Sequence, residues 1–317
     1  MQIRILLSFL FILFHYFSSS QIKWQNVDSF YQPLPSSVHV YFTNEKVDSG
    51  AFKAYYLIAD IKDRNLTFTT DTTYKRRLTP YQFYQKNDNP LVVVNGTFFS
   101  FETNQNLNVV VKEGKLVSHT APQVGRGKDT FTYTHTFKGA IGISRKRKAD
   151  IAWIYTDSSK RRPYASQHSV AATKDSNSQE NLKRFLQQYT SSSTPFTKWK
   201  MQTAIGGGPV LVQNGEIKIS NNEERMFGGK GIKDKHPRTA MGYTADNKLI
   251  ILVVEGRNPN ASGATLTQEA QILKDLGCIE ALNLDGGGSS CLLINGKETI
   301  KISDKTQRPV PAVFLIK

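Results

Sequence analysis

Residues Ala281 to Ser290 read A-L-N-L-D-G-G-G-S-S, and this stretch is the most informative part of the chain. Its apolar start predicts a short buried strand that ends at Asp285. Three glycines then free the backbone, because glycine reaches positive φ without steric cost. Successive amides in such a turn form a concavity suited to an anion. Two interpretations are open: a small polar ligand bound by Asp285, these amides and the hydroxyls of Ser289 and Ser290, or a tight turn whose aspartate satisfies its own backbone.

Outward from this stretch, the chain is dominated by short runs rich in Val, Ile, Tyr and Thr and bounded by polar residues or glycine, which is typical of β-strands. The predicted strands are Val38–Phe42, Ala54–Ile61, Leu66–Thr70, Leu91–Asn95, Val109–Lys112, Ala140–Ile143, Ile151–Tyr155 and Leu249–Glu255. A two-residue turn, Glu-Gly once and Asn-Gly twice, separates apolar runs in three segments and predicts β-hairpins. These segments are Val109–Val117, Val210–Ile217 and Leu292–Glu298.

Helical periodicity is convincing in two segments. Glu180–Tyr189 places apolar residues at i, i+3, i+4 and i+7, which predicts an amphipathic helix. Gln268–Leu276 follows Thr265, with Gln268 completing a capping-box pattern and Gly277 as the stop signal.

Two further stretches, Thr120–Thr134 and Ser158–Gln179, are long and polar and are predicted to be loops. Mixed strands with few helices predict a single α+β domain built from mixed, mostly antiparallel sheets and a few packed helices.

The first 20 of the 317 residues have the layout of a secretory signal peptide. Arg4 precedes an apolar run from Ile5 to Phe17, and three serines supply small residues for cleavage before Gln21. The run is shorter than the roughly 20 residues that a membrane span needs. We therefore expect a secreted or periplasmic protein with no stable membrane span once the signal is cleaved.

The formal net charge of +15 favours anionic partners. Nucleic acid is disfavoured by export and by the lack of a recognisable binding motif. The basic runs Arg145–Lys148 and Lys160–Arg162 hold much of this charge, and solvated loops are an equally valid interpretation of them. The two cysteines, Cys278 and Cys291, do not form a disulfide scaffold, and buried free thiols are favoured over a bridge. No cluster has metal-ligand spacing, so neither a metal nor a cofactor is expected.

Polar side chains recur where predicted strands end: Asn95, Glu255, Arg257 and Asp285. Functional groups on a rigid sheet concentrate at such ends. Each has a structural interpretation as well, such as a surface ion pair between Glu255 and Arg257. Only their convergence on one hollow would make a site.

Six motifs in order along the chain resemble the phosphodiester glycosidase family. They are Asn95-Gly-x-Phe-Phe, Gly206-Gly-Gly-Pro-x-Leu, Arg238-Thr-Ala-x-Gly, Glu255-Gly-Arg257, Ser262-x-x-Thr-Leu-x-x-Glu-Ala270 and Asn283-Leu-Asp-Gly-Gly-Gly-Ser-Ser. The resemblance extends from about Leu91 to the C-terminus, which divides the chain into a signal peptide (1–20), a strand-rich segment (21–90) and a phosphodiester glycosidase-like domain (91–317). Three departures are Glu255 in place of the aspartate of a D-G-R pattern, Cys291 in place of serine or threonine, and an apparent insertion at Ser158–Gln179.

The resemblance implies removal of a sugar, typically N-acetylglucosamine, from a sugar-1-phosphodiester or phosphorylated glycan, leaving a phosphomonoester. It implies Asp285 and Glu255 as the catalytic carboxylates, and Arg238 and Arg257 as the phosphate clamp, because a guanidinium fork matches phosphate oxygens. The expected substrate-binding set is completed by Asn95, Asn283, Gly207, Gly208, Gly286, Gly287, Gly288, Ser289, Ser262, Thr265, Glu269 and His236. On the helix's first turn Glu269 also suits the dipole. The alternative function is a non-catalytic binding protein for anionic or phosphorylated envelope glycans.

Overall fold

The computed structural model describes residues 22–121, 123–126, 129–176 and 195–317. For 123–126, 129–135 and 173–176 it describes the backbone alone. The predicted signal peptide and the predicted helix Glu180–Tyr189 lie outside the described residues.

The described part of the chain is built mainly from β-strands. The strands are β1 Gln25–Asn26, β2 Val38–Thr43, β3 Ala54–Asp60, β4 Phe68–Thr72, β5 Val92–Asn95, β6 Val110–Lys112, β7 Lys115–Ser118, β8 Gln123–Arg126, β9 Asp129–His135, β10 Lys138–Ser144, β11 Ala149–Tyr155, β12 Tyr164–Ser166, β13 Thr173–Ser176, β14 Thr197–Lys198, β15 Met201–Gly206, β16 Val210–Gln213, β17 Glu216–Ile217, β18 Arg238–Thr244, β19 Lys248–Val254, β20 Cys278–Asn283, β21 Leu292–Ile294, β22 Lys297–Glu298 and β23 Ala312–Ile316. The helices are α1 Pro80–Lys86, α2 Asn221–Glu224 and α3 Leu266–Asp275, with 3₁₀ turns at Asp28–Phe30 and Gly287–Ser289.

The strands form four sheets. An eight-stranded sheet has the order β1-β2-β3-β19-β18-β20-β16-β17, and a seven-stranded sheet has the order β14-β12-β11-β10-β15-β6-β7. A five-stranded sheet runs β22-β21-β5-β23-β4, and a three-stranded sheet runs β13-β9-β8. The paired strands of the described residues are antiparallel throughout. The prediction of mostly antiparallel sheets with few helices is confirmed.

The core has two faces because the eight-stranded sheet is covered on both sides. Along β19, Leu249, Ile251 and Val253 belong to a cluster shared with the seven- and five-stranded sheets. The alternate residues, Ile250 and Leu252, belong to a second cluster that includes α3. A strand buried on both faces reads as a continuous apolar run, which explains why this strand was predicted from sequence.

Helix α3 confirms its sequence signals. The Thr265 hydroxyl accepts a hydrogen bond from the Gln268 backbone amide at 3.1 Å. The Gln268 side-chain oxygen in turn accepts one from the Thr265 backbone amide at 2.9 Å. Gly277 follows the helix with φ of 84°, a conformation that favours glycine.

Helix α1 was not predicted, although Thr79-Pro80 and Gln82 form the same capping box with proline at the first position. The helix is short and lacks a long apolar repeat, so hydrophobic periodicity did not predict it.

The two predicted polar loops are partly wrong. β8 and all but the last residue of β9 lie within 120–134, and β12 and β13 lie within 158–179. Their sequences are polar because β8, β9 and β13 make a separate three-stranded sheet and β12 lies near the edge of the seven-stranded one. β8 and β13 lack the apolar alternation on which the predictions relied.

Two smaller expectations concern the cysteines and the membrane. Cys278 and Cys291 are both buried and free, as favoured from sequence. Among the helices of the described residues, none has the length and apolarity needed to cross a bilayer.

Candidate active site

The glycine triplet crosses the ends of two other strands. After β20 the chain leaves the sheet, and the Asp285 amide donates to the Gly96 carbonyl at 3.0 Å, beyond β5. The Gly287 amide donates to the Pro237 carbonyl at 2.8 Å, just before β18. These bonds fix Asp285 where β5 and β20 end and β18 begins.

Each glycine of the triplet makes room for a neighbour. A methyl group on Gly286 would lie 2.8 Å from the Pro237 carbonyl oxygen. On Gly287, whose φ is 61°, it would lie 3.0 to 3.3 Å from the Arg257 guanidinium. On Gly288 it would overlap the guanidinium of Arg308 and the carboxylate of Asp304. The triplet therefore brings two arginines close to the backbone beside Asp285.

The Asp285 carboxyl group titrates far from its ordinary range. Burial raises its pKa from the ordinary 3.8 to about 7, although the Ser289 hydroxyl, the Arg308 charge and the Gly286 amide each act to lower it. A carboxyl group whose pKa lies near neutrality suits acid–base work at that pH.

Arg257 and His236 contact each other beside the triplet. An Arg257 Nη atom lies 3.3 Å from His236 Nδ1, and Arg257 holds a positive φ of 63°. Burial, with the charges of Arg238 and Arg257, lowers the pKa of His236. His236 is therefore neutral at pH 7, and because the guanidinium only donates, Nδ1 accepts the hydrogen bond. Arg257 is exposed and forms no ion pair within the described residues, so its remaining donors are available to a ligand.

Arg308 and Asp304 were missed from sequence. Arg308 donates from Nε and Nη2 to Asp304 Oδ2 at 3.0 and 2.8 Å. Both lie in the loop between β22 and β23, which carries no recognisable motif. The one signal was charge, because the segment from Lys301 to Arg308 is rich in charged residues.

The guanidinium of Arg238, an expected phosphate ligand, is bonded to backbone carbonyls. Its side chain is 3% exposed. It donates from Nε to the Ala264 carbonyl at 2.9 Å and from Nη2 to the Asp234 carbonyl at 3.1 Å. Its charge acts on both His236 and Arg257, so it adds positive potential beneath the site and secures two backbone segments.

Glu269 lies opposite Arg238 and is fully buried. Within the described part of the chain, neither of its carboxylate oxygens has a hydrogen-bond partner. Burial raises its pKa to about 8, against the lowering effect of Arg238. Glu269 does lie in the first turn of α3, where an acidic residue suits the helix dipole, and its side chain is buried.

Glu255 binds protein groups on both oxygens. It accepts from the Asn258 side chain at 3.1 Å and from the Lys301 amide at 2.9 Å, and it is 5% exposed. It thereby anchors the start of the loop that presents Asp304 and Arg308.

Asn95 positions the aspartate through the backbone. Its Nδ2 donates to the Asp285 carbonyl at 2.6 Å, and its Oδ1 accepts from the Thr239 hydroxyl at 2.9 Å and the Cys291 amide at 3.0 Å. Full burial gives Asn95 this internal role in place of the direct sugar contact suggested by the sequence.

Asn283, just before Asp285 in the chain, packs against the second glycine triplet, Gly206 to Gly208. The Asn283 side chain donates to the Gly208 carbonyl at 2.7 Å, and the Gly208 amide donates to the Asn283 carbonyl at 2.7 Å. A methyl group on Gly207 would overlap the Asn283 carbonyl. These glycines thus allow two chain segments to pack closely.

The three remaining residues of the predicted substrate-binding set, Thr265, Ser289 and Ser262, differ in their exposure to solvent. Thr265 uses its hydroxyl as the cap of α3, and Ser289 is buried within the 3₁₀ turn. Ser262 is exposed, with its amide bonded to the Ala51 carbonyl at 2.9 Å. Ser262 is thus the most exposed of the three, Thr265 is half-buried and Ser289 is buried.

The Gly287→Ala variant is expected to lower activity by tenfold or more, because the added methyl group displaces Arg257 and misplaced groups lose rate steeply. Gly215→Ala is the matched control: its φ is 76° and nothing lies within 4 Å of the added methyl group. Both variants carry the backbone cost of a left-handed alanine, about 1 to 2 kcal/mol. Equal activity in the two variants, measured after their stabilities are shown to match, would contradict the placement of Arg257.

Comparisons with known proteins agree with this architecture. The family model described as phosphodiester glycosidase matches residues 88–317. The catalytic domain of zebrafish N-acetylglucosamine-1-phosphodiester alpha-N-acetylglucosaminidase, auto-inhibited by its pro-peptide, superposes with a TM-score of 0.60 at 20% identity, covering 93% of this chain and 88% of that one. A hypothetical protein from Synechocystis superposes with a TM-score of 0.60 at 15% identity, covering 93% of this chain and 63% of that one.

Sequence relatives align over shorter stretches. The uncharacterized SPbeta prophage-derived protein YomE of Bacillus subtilis is 43% identical over 76 residues, which cover 24% of this chain and 12% of YomE. The mouse N-acetylglucosamine-1-phosphodiester alpha-N-acetylglucosaminidase is 30% identical over 111 residues, which cover 32% of this chain and 21% of the mouse protein. The matched region is thus a small part of each relative.

Proposed function

This chain belongs to the phosphodiester glycosidase family, and on that premise we propose that it hydrolyses the bond between the anomeric carbon and the phosphate oxygen of a sugar-1-phosphodiester, such as a GlcNAc-1-phosphodiester. The products are the free sugar and a phosphomonoester. The observation that carries the proposal is the position of Asp285, a carboxyl group with a pKa of about 7, on a glycine triplet packed against Arg257 and Arg308.

The reaction depends on one reactive carboxylate, and it has little need of a strong acid to protonate the leaving group. Water supplies the oxygen that joins the anomeric carbon, and the bridging oxygen leaves with phosphorus. A phosphomonoester is a good leaving group, so protonation of the bridging oxygen contributes little. Whether Asp285 attacks the carbon or takes the proton from water, it acts in the ionised form.

Charge on the leaving phosphate is stabilised by the arginines beside the triplet. Arg257 is exposed and unpaired among the described residues, and Arg308 sits over Gly288 with Asp304 holding its guanidinium. Guanidinium groups match phosphate oxygens, and donors fixed in advance stabilise charge as it develops. We assign Arg257 and Arg308 as the clamp, with Arg238 and His236 behind them.

Glu255 is assigned a positioning role. Both of its oxygens are bonded to protein, and one of them holds the Lys301 amide at the start of the Arg308 loop. Asp285 is then the reacting carboxylate, and Glu255 secures the loop that brings Arg308 to it.

Product analysis tests the proposal. A synthetic GlcNAc-1-phosphodiester should yield free GlcNAc and a phosphomonoester. GlcNAc-1-phosphate with a free alcohol would identify a phosphodiesterase instead. Binding without turnover would identify the non-catalytic glycan-binding protein.

The pH dependence follows from Asp285. Because the ionised form is required, kcat/KM should rise with pH through about 7, and at pH 6 it should be roughly tenfold below its plateau. His236, with a lowered pKa, titrates on the acid side of this step. A rate that falls as pH rises through 7 would instead make Asp285 the proton donor and overturn its assigned role.

A further inference from the structure

An exposed aromatic ring lies beside the site with two guanidinium groups over it. The guanidinium carbon of Arg77 is 5.4 Å from the centroid of Phe101, and that of Arg308 is 5.5 Å from the same centroid. Phe101 is nevertheless 65% exposed. We call these three residues the Phe101 patch.

The patch is continuous with the candidate active site through Arg308. The same guanidinium that packs over Phe101 also fills the space above Gly288 and acts on the pKa of Asp285. A ligand that leaves the Asp285 site along Arg308 therefore meets Phe101 and then Arg77.

The surroundings of the patch are basic and aromatic. Tyr74, Lys75, Arg76 and Arg77 follow one another, and Tyr74 is 80% exposed. Arg77 forms no ion pair within the described residues. Two carboxylates adjoin the patch in contact or in sequence: Asp304 is paired with Arg308, and Glu102 follows Phe101.

Cation–π contacts of this kind hold guanidinium groups in place without using their N–H donors. A fixed guanidinium loses little entropy when it binds phosphate, which favours binding. The exposed part of Phe101 meanwhile offers an apolar surface to the face of a sugar ring. The chemistry therefore suits a ligand in which sugar and phosphate alternate.

We propose that the Phe101 patch binds the sugar–phosphate unit beyond the scissile bond, so that the preferred substrate is a glycan whose sugars are joined by phosphodiesters. Two experiments test this inference. The first, a catalytic comparison, rests on the proposed function, and the second measures binding alone.

The catalytic arm compares two substrates: a GlcNAc-1-phosphodiester of methanol, and an oligomer of three phosphodiester-linked sugars with the same scissile bond. Wild-type kcat/KM should favour the oligomer by about tenfold or more, the size expected for such contacts. Phe101→Ala and Arg77→Ala should remove most of this preference, with a larger loss on the oligomer than on the methyl diester.

Matched controls separate the patch from general surface effects. Phe30 is 67% exposed and lies outside the patch, and Arg64 is an exposed arginine elsewhere. Phe30→Ala and Arg64→Ala should leave both rates within about twofold, as is usual for surface changes. Equal losses on both substrates in the patch variants, or no wild-type preference, would overturn the proposal.

The binding arm does not depend on turnover. In an Asp285→Asn background, the oligomer should bind about tenfold more weakly once Phe101→Ala or Arg77→Ala is added, and the Arg77 variant should show a shallower salt dependence. An oligonucleotide with the same number of phosphates should bind at least about tenfold more weakly than the oligomer. Equal oligonucleotide binding would mean that the patch recognises charge alone, which contradicts the proposal. Patch-dependent oligomer binding by a protein that releases no sugar would refute the proposed hydrolysis while supporting the patch.

Discussion

Asp285→Asn is expected to lower kcat/KM on a sugar-1-phosphodiester by about 10²- to 10⁴-fold, the range for removing a positioned base. Asparagine keeps the size of the side chain and one acceptor oxygen, but it replaces the second oxygen with an NH2 donor and cannot ionise. The fold around it should persist, because the Asp285 backbone is held by Asn95 and Gly96 through main-chain groups. Steady-state kinetics at pH 8, where wild-type Asp285 is mostly ionised, provide the measurement.

Stability supplies the control for this variant. The pKa of Asp285 is raised from 3.8 to about 7, so ionising it in the folded protein costs free energy, and this cost grows as pH rises from about 4 through 7. Asparagine removes the cost. The variant should therefore be more stable than wild type at pH 8 in thermal unfolding, with the difference shrinking toward pH 4. An inactive variant that is also less stable at pH 8 would show that the site has collapsed and would void the kinetic result.

Arg257→Lys is expected to lower kcat/KM by about 10- to 100-fold. Hydrogen bonds to charged groups are worth about 1.5 to 3 kcal/mol, and each 1.4 kcal/mol is about tenfold in rate. Lysine keeps the charge but loses the forked donors, and it cannot pack flat against Gly287. The loss should appear mainly in kcat, because charge develops on the leaving phosphate.

Chemical rescue distinguishes a clamp from a structural arginine. Arg257→Ala should lose more activity than the lysine variant, and added guanidinium ion should restore part of it. Arg64→Ala, at an exposed arginine elsewhere, should show neither loss nor rescue. An Arg257→Ala enzyme with wild-type kcat would remove Arg257 from the clamp.

The strands were predictable where burial requires a run of apolar residues. β5, β6, β11 and β19 are apolar because neighbouring sheets cover them, and the predicted bounds agree within about two residues. α3 was predictable because periodicity and capping signals agree. Strands β8 and β13 lack an apolar face, so sequence gave no basis for separating them from loops.

The candidate site was predictable only in part, because sequence shows which residues lie at strand ends and not which way they point. Arg257 lies beside Gly287, two residues after Asp285, and His236 contacts Arg257. Arg308 and Asp304 lie on a loop whose start is held by a hydrogen bond from the Lys301 amide to Glu255. This contact joins segments far apart in the chain, and no local sequence pattern encodes it. The export signal, the division at residue 90 and the roles of the site residues stay predictions.

Hydrolysis in oxygen-18-labelled water tests the central claim most directly. Attack at the anomeric carbon places the label on the released sugar and leaves the phosphomonoester unlabelled, and that is the result we predict for the wild-type enzyme. Label in the phosphomonoester would show that the phosphorus–oxygen bond breaks, and the assignment of Asp285 as the group acting at the sugar carbon would be contradicted.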